Sequence, residues 1–75
     1  MTPTKEQVNE FVDYVFSFYG KGGIYDINAN RQTVRWAVNR YLKRTSDFCG
    51  DSIDRENVRT ILTHEYGLTP VRKNL

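Results

Sequence analysis

Residues 30–44 read NRQTVRWAVNRYLKR and contain the only Trp of the 75-residue chain, together with its densest positive charge. At about 3.6 residues per turn, the apolar side chains of this stretch fall on one side of a helix. Asn30 suits the N-cap position, because its side-chain oxygen can accept a hydrogen bond from an amide of the first turn. The stretch therefore predicts an amphipathic central helix whose core-facing residues are Val34, Ala37, Val38, Tyr41 and Leu42.

Trp36 projects away from this apolar side, among the polar and basic residues of the same helix. Two interpretations stay open. A central helix touches neighbours on two sides, so Trp36 would pack beneath a loop or a second helix, since Trp is highly buried on average. Alternatively, an exposed Trp36 beside cations would serve as an anchor for a partner protein or as a stacking surface for bases.

A first helix is predicted for residues 4–19. Thr4 followed three positions later by Gln7 matches a capping box. Tyr14, Phe16 and Phe18 widen its apolar arc to about half of the helix circumference, which is more than a surface helix needs. Part of this aromatic surface is either buried in the chain's own small core or available to a second copy or a partner.

A third helix is predicted for residues 54–66. Asp54 suits the N-cap, and Ile53 and Val58 have the spacing of a hydrophobic staple. Gly67 suits the position just after the helix, where a left-handed backbone is common. The chain is thus expected to be all-α: one compact three-helix domain over residues 1–75, with a flexible basic tail at 69–75.

The segment between the first two helices is expected to be an ordered, Gly-rich loop whose Ile24 and Ile27 fill the core. Its glycines follow the C-terminal end of a helix, where the dipole repels phosphate, so a phosphate-binding loop is not predicted. Residues 26–30 match the first three ligand positions of a calcium loop. Arg31 then replaces the required Gly and Ala37 the bidentate Glu, so neither calcium nor any other metal or cofactor is predicted.

Composition indicates an ordered protein, because hydrophobic residues make up 39% of the chain and aromatic residues 13%. A single cysteine rules out an intrachain disulfide and fits a reducing cytosol. The sequence has no apolar run long enough to span a membrane, and its polar first residues do not predict a signal peptide. A cytoplasmic location is therefore expected.

The net charge of +2 conceals an uneven distribution. Residues 31–44 hold five basic residues and no acidic one, while both flanking segments have a small excess of acids. This basic helix either attracts an anionic partner or pairs with the protein's own acids. The cations that could meet nucleic-acid phosphates are Arg31, Arg35, Arg40, Lys43 and Arg44.

Two features weaken a nucleic-acid interpretation. These cations surround the helix instead of forming one stripe. A helix-turn-helix needs a turn of about three or four residues, and the predicted linker over residues 45–53 is longer.

Catalysis is not predicted. One His and one Cys leave few nucleophile–base pairs, and a chain this short has little room for a concave active site. The function favoured by the sequence is a small protein–protein interaction or self-assembly module, with nucleic-acid binding as the alternative. The residues expected to meet a partner are Tyr14, Phe16, Phe18 and Trp36.

Two phrases of the sequence, FYGKGGIYD at residues 18–26 and GDSIDRENVR at residues 50–59, resemble short uncharacterised proteins of tailed phages of marine bacteria. The resemblance implies a cytosolic, phage-encoded accessory protein. It implies no activity and no functional residues.

Overall fold

A computed structural model describes residues 2–69 of the chain and contains three α-helices. Helix α1 spans Lys5–Tyr19, α2 spans Arg31–Leu42 and α3 spans Ser52–His64, and each helix packs against the other two. Within residues 2–69 the only β-type pairing is an isolated bridge between Gly20 and Ala29. The predicted all-α, three-helix fold is confirmed. The tail predicted at 69–75 lies outside the described residues, apart from Thr69.

The start of α1 is the predicted capping box. The Thr4 hydroxyl accepts a hydrogen bond from the Gln7 amide at 3.1 Å, and the Gln7 side chain accepts one from the Thr4 amide at 2.8 Å. The helix ends at Gly20, whose amide donates to the Phe16 carbonyl at 2.8 Å. A Cβ at Gly20 would lie 2.3 Å from the Phe16 ring, so only glycine fits there.

The start of α2 is also as predicted, because the Asn30 side chain accepts a hydrogen bond from the Thr33 amide at 2.8 Å. The helix ends at Leu42, two residues before the predicted end. The expected apolar side is confirmed, since Val34, Ala37, Val38 and Tyr41 are buried and Leu42 packs partly buried against them.

The start of α3 was predicted wrongly. Asp51 is the N-cap, accepting a hydrogen bond from the Asp54 amide at 3.1 Å, and the helix begins at Ser52. The proposed staple is wrong too, because the Ile53 side chain is 69% exposed. The physical reason is that the Asp54 carboxylate turns inward to accept hydrogen bonds from the preceding loop, which places Asp54 inside the first turn.

The end of α3 agrees better with the sequence. The helix stops at His64, and Gly67 has the predicted positive φ of 67°. The Leu68 amide then donates to the Leu62 carbonyl at 3.1 Å, which folds Leu68 back onto the core.

The Gly-rich loop puts one of its two isoleucines inside. Ile27 is buried, as predicted, whereas Ile24 is 58% exposed, so the prediction for Ile24 is wrong. The reason is that backbone, not side chain, meets α1 at this point: the Ile24 amide donates to the Ser17 carbonyl at 3.2 Å. An Asx turn shapes the loop, because the Asp26 carboxylate accepts hydrogen bonds from the Gly22 amide at 2.8 Å and the Asn28 amide at 2.6 Å.

The core lies where the three helices meet. Phe48, in the loop before α3, packs edge-on against Phe11 of α1 with ring centroids 4.9 Å apart and so anchors that loop to the core. The largest fully buried side chains from the helices and the first loop are Val12, Val15, Tyr19, Ile27, Val34, Val38, Val58 and Leu62.

Candidate functional site

The three aromatic residues of α1 predicted to meet a partner are partly buried and pack against the core. The rings of Tyr14 and Phe18 meet edge-to-face with centroids 5.4 Å apart. Phe16 lies beneath the Arg31 guanidinium, whose carbon is 5.9 Å from the ring centroid. The chain's own packing therefore uses much of the aromatic surface that widened the apolar arc of α1.

Arg55 of α3 joins this aromatic group, a role that sequence reasoning missed. Its guanidinium carbon lies 4.1 Å from the centroid of the Phe18 ring, and its Nη1 donates to the Tyr14 hydroxyl at 2.8 Å. Only 16% of the side chain remains exposed. Nothing local in the sequence signals this role, because α1 and α3 are brought together only by the tertiary fold.

Trp36 is apart from these rings and is 52% exposed. The interpretation that a loop or helix covers it is therefore wrong. The apolar side of α2 faces the core, and Trp36 lies on the opposite side, at helical spacing with Asn39, Arg40 and Lys43. Together with Tyr66, which follows α3, these residues line an open groove of about 500 Å³. We call these five residues the Trp36 surface.

Two arginines, Arg40 in α2 and Arg44 just after it, hold the segment that follows α3 in place. Arg40 donates to the Glu65 carboxylate at 2.9 Å, and Arg44 donates to both of its oxygens. Hydrogen bonds from Arg44 and then Arg40 lower the pKa of Glu65 to about 2. The Arg40 guanidinium also lies over the Tyr66 ring, 5.2 Å from its centroid. These contacts bring Tyr66 beside α2 and complete the groove.

The remaining cations in α2 and at its C-cap differ in whether they form ion pairs or hydrogen bonds within the molecule. Arg31 forms an ion pair with Asp13 of α1, and Arg35 donates to the Asn9 side chain at 2.9 Å. Lys43 is exposed and has no ion pair within residues 2–69. Most of the basic charge of α2 thus meets polar or acidic groups of the same molecule, which matches the second of the two alternatives raised by the charge distribution.

Asp54 forms a buried polar site that stabilises the fold. It is 4% exposed and accepts hydrogen bonds from the amides of Cys49 at 2.8 Å and Gly50 at 2.7 Å, and from the Tyr41 hydroxyl. Burial by itself would raise the pKa of Asp54, but these hydrogen bonds outweigh it and hold the pKa below its ordinary value. The spacing of Asp51 and Asp54 is that of a capping box, which was the available sequence signal.

The part of the chain that the structure describes offers little support for a metal site, a reactive-cysteine site or a membrane-spanning segment. Among residues 2–69 no three His, Cys, Asp or Glu side chains are grouped so that they could hold a metal ion. Cys49 is an exposed free thiol, and its sulfur lies 3.3 Å from the Asp47 carbonyl oxygen. None of the helices described combines the length and the hydrophobicity that crossing a membrane requires.

Comparison of the chain with protein-family models, with curated proteins and with solved structures found no match. The resemblance to phage proteins therefore stays a prediction.

Proposed function

We propose that this chain is a small, non-catalytic module that binds another protein through the Trp36 surface. The observation that carries the proposal is the 52% exposure of Trp36 on a helix whose opposite side is buried. Trp, Tyr and Arg are the residue types most enriched among the side chains that dominate binding energy at protein interfaces. Trp36, Arg40 and Tyr66 bring all three types to one groove.

The rigidity of this surface supports the same function. Trp36 and Arg40 project from a helix with an Asn30 cap and a buried apolar side, and Tyr66 is held by the contact with Arg40. A surface ordered before binding loses less side-chain entropy when a partner arrives. The α1 aromatics take a smaller part in the proposal, because they are already partly buried.

Nucleic-acid binding is the alternative function, and its support is weaker. Arg31, Arg40 and Arg44 already pair with acidic side chains of the same molecule. A phosphate backbone would have to compete with those carboxylates for every one of these contacts. Of the five basic residues between positions 31 and 44, Lys43 alone lacks a charged or hydrogen-bonded side-chain partner within residues 2–69.

We also propose a cytoplasmic location, for which the single cysteine is the support.

The proposal is tested by selecting displayed random peptides on the immobilised protein and measuring their affinity for variants. Trp36→Ala removes the anchor, and Ile53→Ala is the matched control, because Ile53 is an exposed apolar residue of another helix. We expect the selected peptides to lose about 2 kcal/mol of binding free energy, or about thirtyfold in affinity, with Trp36→Ala and to keep their affinity for Ile53→Ala. Peptides that bind both variants equally well would show that the proposed surface is wrong.

A second copy of the chain is one protein that could occupy the surface. Sedimentation equilibrium of the wild type and of Trp36→Ala tests this directly. Association that disappears in Trp36→Ala assigns the surface to self-assembly, while a monomer at high concentration excludes a second copy as the occupant.

A further inference from the structure

The Trp36 surface and its rim are positively charged. Arg40 near the end of α2 and Lys43 and Arg44 just after it are exposed, and Glu65 is the acidic residue that pairs with Arg40 and Arg44. Lys43 lines the groove together with Trp36 and forms no ion pair within residues 2–69. A partner that brings negative charge to the groove therefore gains attraction without breaking an existing ion pair at Lys43.

The arrangement of the two arginines indicates which anion suits the rim. Arg40 and Arg44 converge on the one Glu65 carboxylate, and Arg44 contacts both carboxylate oxygens. Planar guanidinium groups bind a carboxylate in this two-pronged manner with high geometric specificity. The chain itself thus demonstrates, with Glu65, that this end of α2 accommodates the carboxylate of a protein side chain.

A nucleic-acid strand fits the groove less well than a peptide. Single-strand binding combines several stacking rings with cations that follow the backbone. Arg40 covers a face of the Tyr66 ring, which leaves Trp36 as the exposed ring of the groove. The two arginines meet at one carboxylate and do not form a row that could follow successive phosphates.

We propose that the occupant of the Trp36 surface is an acidic peptide segment of a partner protein, with an apolar side chain against Trp36 and a carboxylate paired with Lys43. This inference rests on the proposed function and names the chemistry of the partner. The groove supplies both requirements, because Trp36 of α2 and Lys43, the C-cap of that helix, are seven positions apart and line the same groove.

Intrinsic fluorescence tests the inference, because Trp36 is the only Trp of the chain and lies in the proposed site. The probe is a short synthetic peptide of Glu, Leu and Gly with both ends blocked, which has no fluorescence of its own. The reference peptide carries Gln in place of every Glu, and a single-stranded oligothymidylate is the nucleic-acid probe. We expect saturable binding of the Glu peptide at low salt, weakening as salt is added, and at least about tenfold weaker binding of the Gln peptide.

Two variants each lose one positive charge, one at the start of α2 and one at its C-cap. Lys43→Gln removes the cation in the groove, and Arg31→Gln removes one that pairs with Asp13 outside it. We expect Lys43→Gln to weaken binding of the Glu peptide by about fivefold, the factor of a single exposed ion pair, and Arg31→Gln to leave it unchanged. Both variants keep Trp36 as the reporter.

Equal binding of the Glu and Gln peptides would overturn the acidic partner while leaving a peptide-binding surface at Trp36. Equal weakening by Lys43→Gln and Arg31→Gln would overturn it too, because the effect would then come from net charge alone. Tighter binding of the oligothymidylate than of the Glu peptide would assign the groove to nucleic acid. The selection with Trp36→Ala decides the proposed function independently of all three results.

Discussion

Replacing Asp54 by Asn should destabilise the protein more than any other single change of charge in the first turn of α3. The Asp54 carboxylate accepts hydrogen bonds from the amides of Cys49 and Gly50 and from the Tyr41 hydroxyl. An Asn side chain has nearly the same shape but carries one acceptor oxygen and no charge. Its NH₂ group would face either the two amides, which are donors, or the Tyr41 hydroxyl, which would then lose the acceptor of its own proton.

The size of the loss follows from these contacts. A hydrogen bond to a charged group contributes about 1.5–3 kcal/mol and one between neutral groups about 1 kcal/mol. Two weakened bonds and one lost bond would give a larger sum, but the Cys49 and Gly50 amides lie in a loop where water can replace part of what is lost. We expect Asp54→Asn to lower the free energy of unfolding by about 2 kcal/mol.

The matched control is Asp51→Asn, which makes the same chemical change three residues earlier. Asp51 is the N-cap, and Asn caps a helix about as well as Asp does, so we expect a change within about 0.5 kcal/mol. Urea unfolding followed by circular dichroism measures both variants. With a slope of about 1 kcal/mol per molar urea, the midpoint should fall by about 2 M for Asp54→Asn. Equal midpoints for the two variants would refute the role assigned to Asp54.

Three further predictions concern stability. The pKa of Glu65 is lowered from 4.5 to about 2, so its ion pairs stabilise the fold above pH 4.5, and this stabilisation is lost as the pH falls from 4.5 to 2. Glu65→Gln should therefore lose less stability than the wild type when urea midpoints are measured across that pH range. An unchanged pH profile would contradict this. Trp36→Ala should change the free energy of unfolding by no more than about 0.5 kcal/mol, whereas Phe11→Ala in the core should lower it by about 3–5 kcal/mol. Similar thermal melting temperatures for the two variants would mean that Trp36 is packed against the rest of the chain. Arg55→Leu should lower the free energy of unfolding by about 1 kcal/mol, because it removes the cation from the Phe18 ring and the hydrogen bond to Tyr14. The control Arg59→Leu removes only an exposed ion pair, so its free energy of unfolding should stay within about 0.5 kcal/mol of the wild type in urea unfolding.

Features set by neighbours in sequence were predictable. The caps at Thr4 and Asn30 need only a side chain and an amide three residues later, so their chemistry is complete within one turn. The start of α3 was not predictable in this way, because Asp51 and Asp54 both have the chemistry of a cap. Which one caps the helix depends on the loop amides and the Tyr41 hydroxyl that surround Asp54, and Tyr41 belongs to another helix.

The loop between α1 and α2 shows the same limit. Ile24 and Ile27 are equally apolar, so hydrophobicity alone cannot separate them. The position of the backbone does so, because the Ile24 amide is held against the end of α1 while the Ile27 side chain enters the core. Tertiary hydrogen bonds of the main chain therefore determine which of the two isoleucines is buried, although their local propensities are the same.

The Trp36 surface depends partly on helical periodicity, which the sequence shows, and partly on tertiary contacts, which it does not. Helical periodicity places Trp36, Arg40 and Lys43 on one side of α2, and this half could be derived from the sequence. The other half could not, because Tyr66 reaches the groove only through the contacts that α2 makes with it and with Glu65. Arg40 in the last turn of α2 and Arg44 just after it attach the segment that follows α3, and they thereby turn an exposed helix face into a groove.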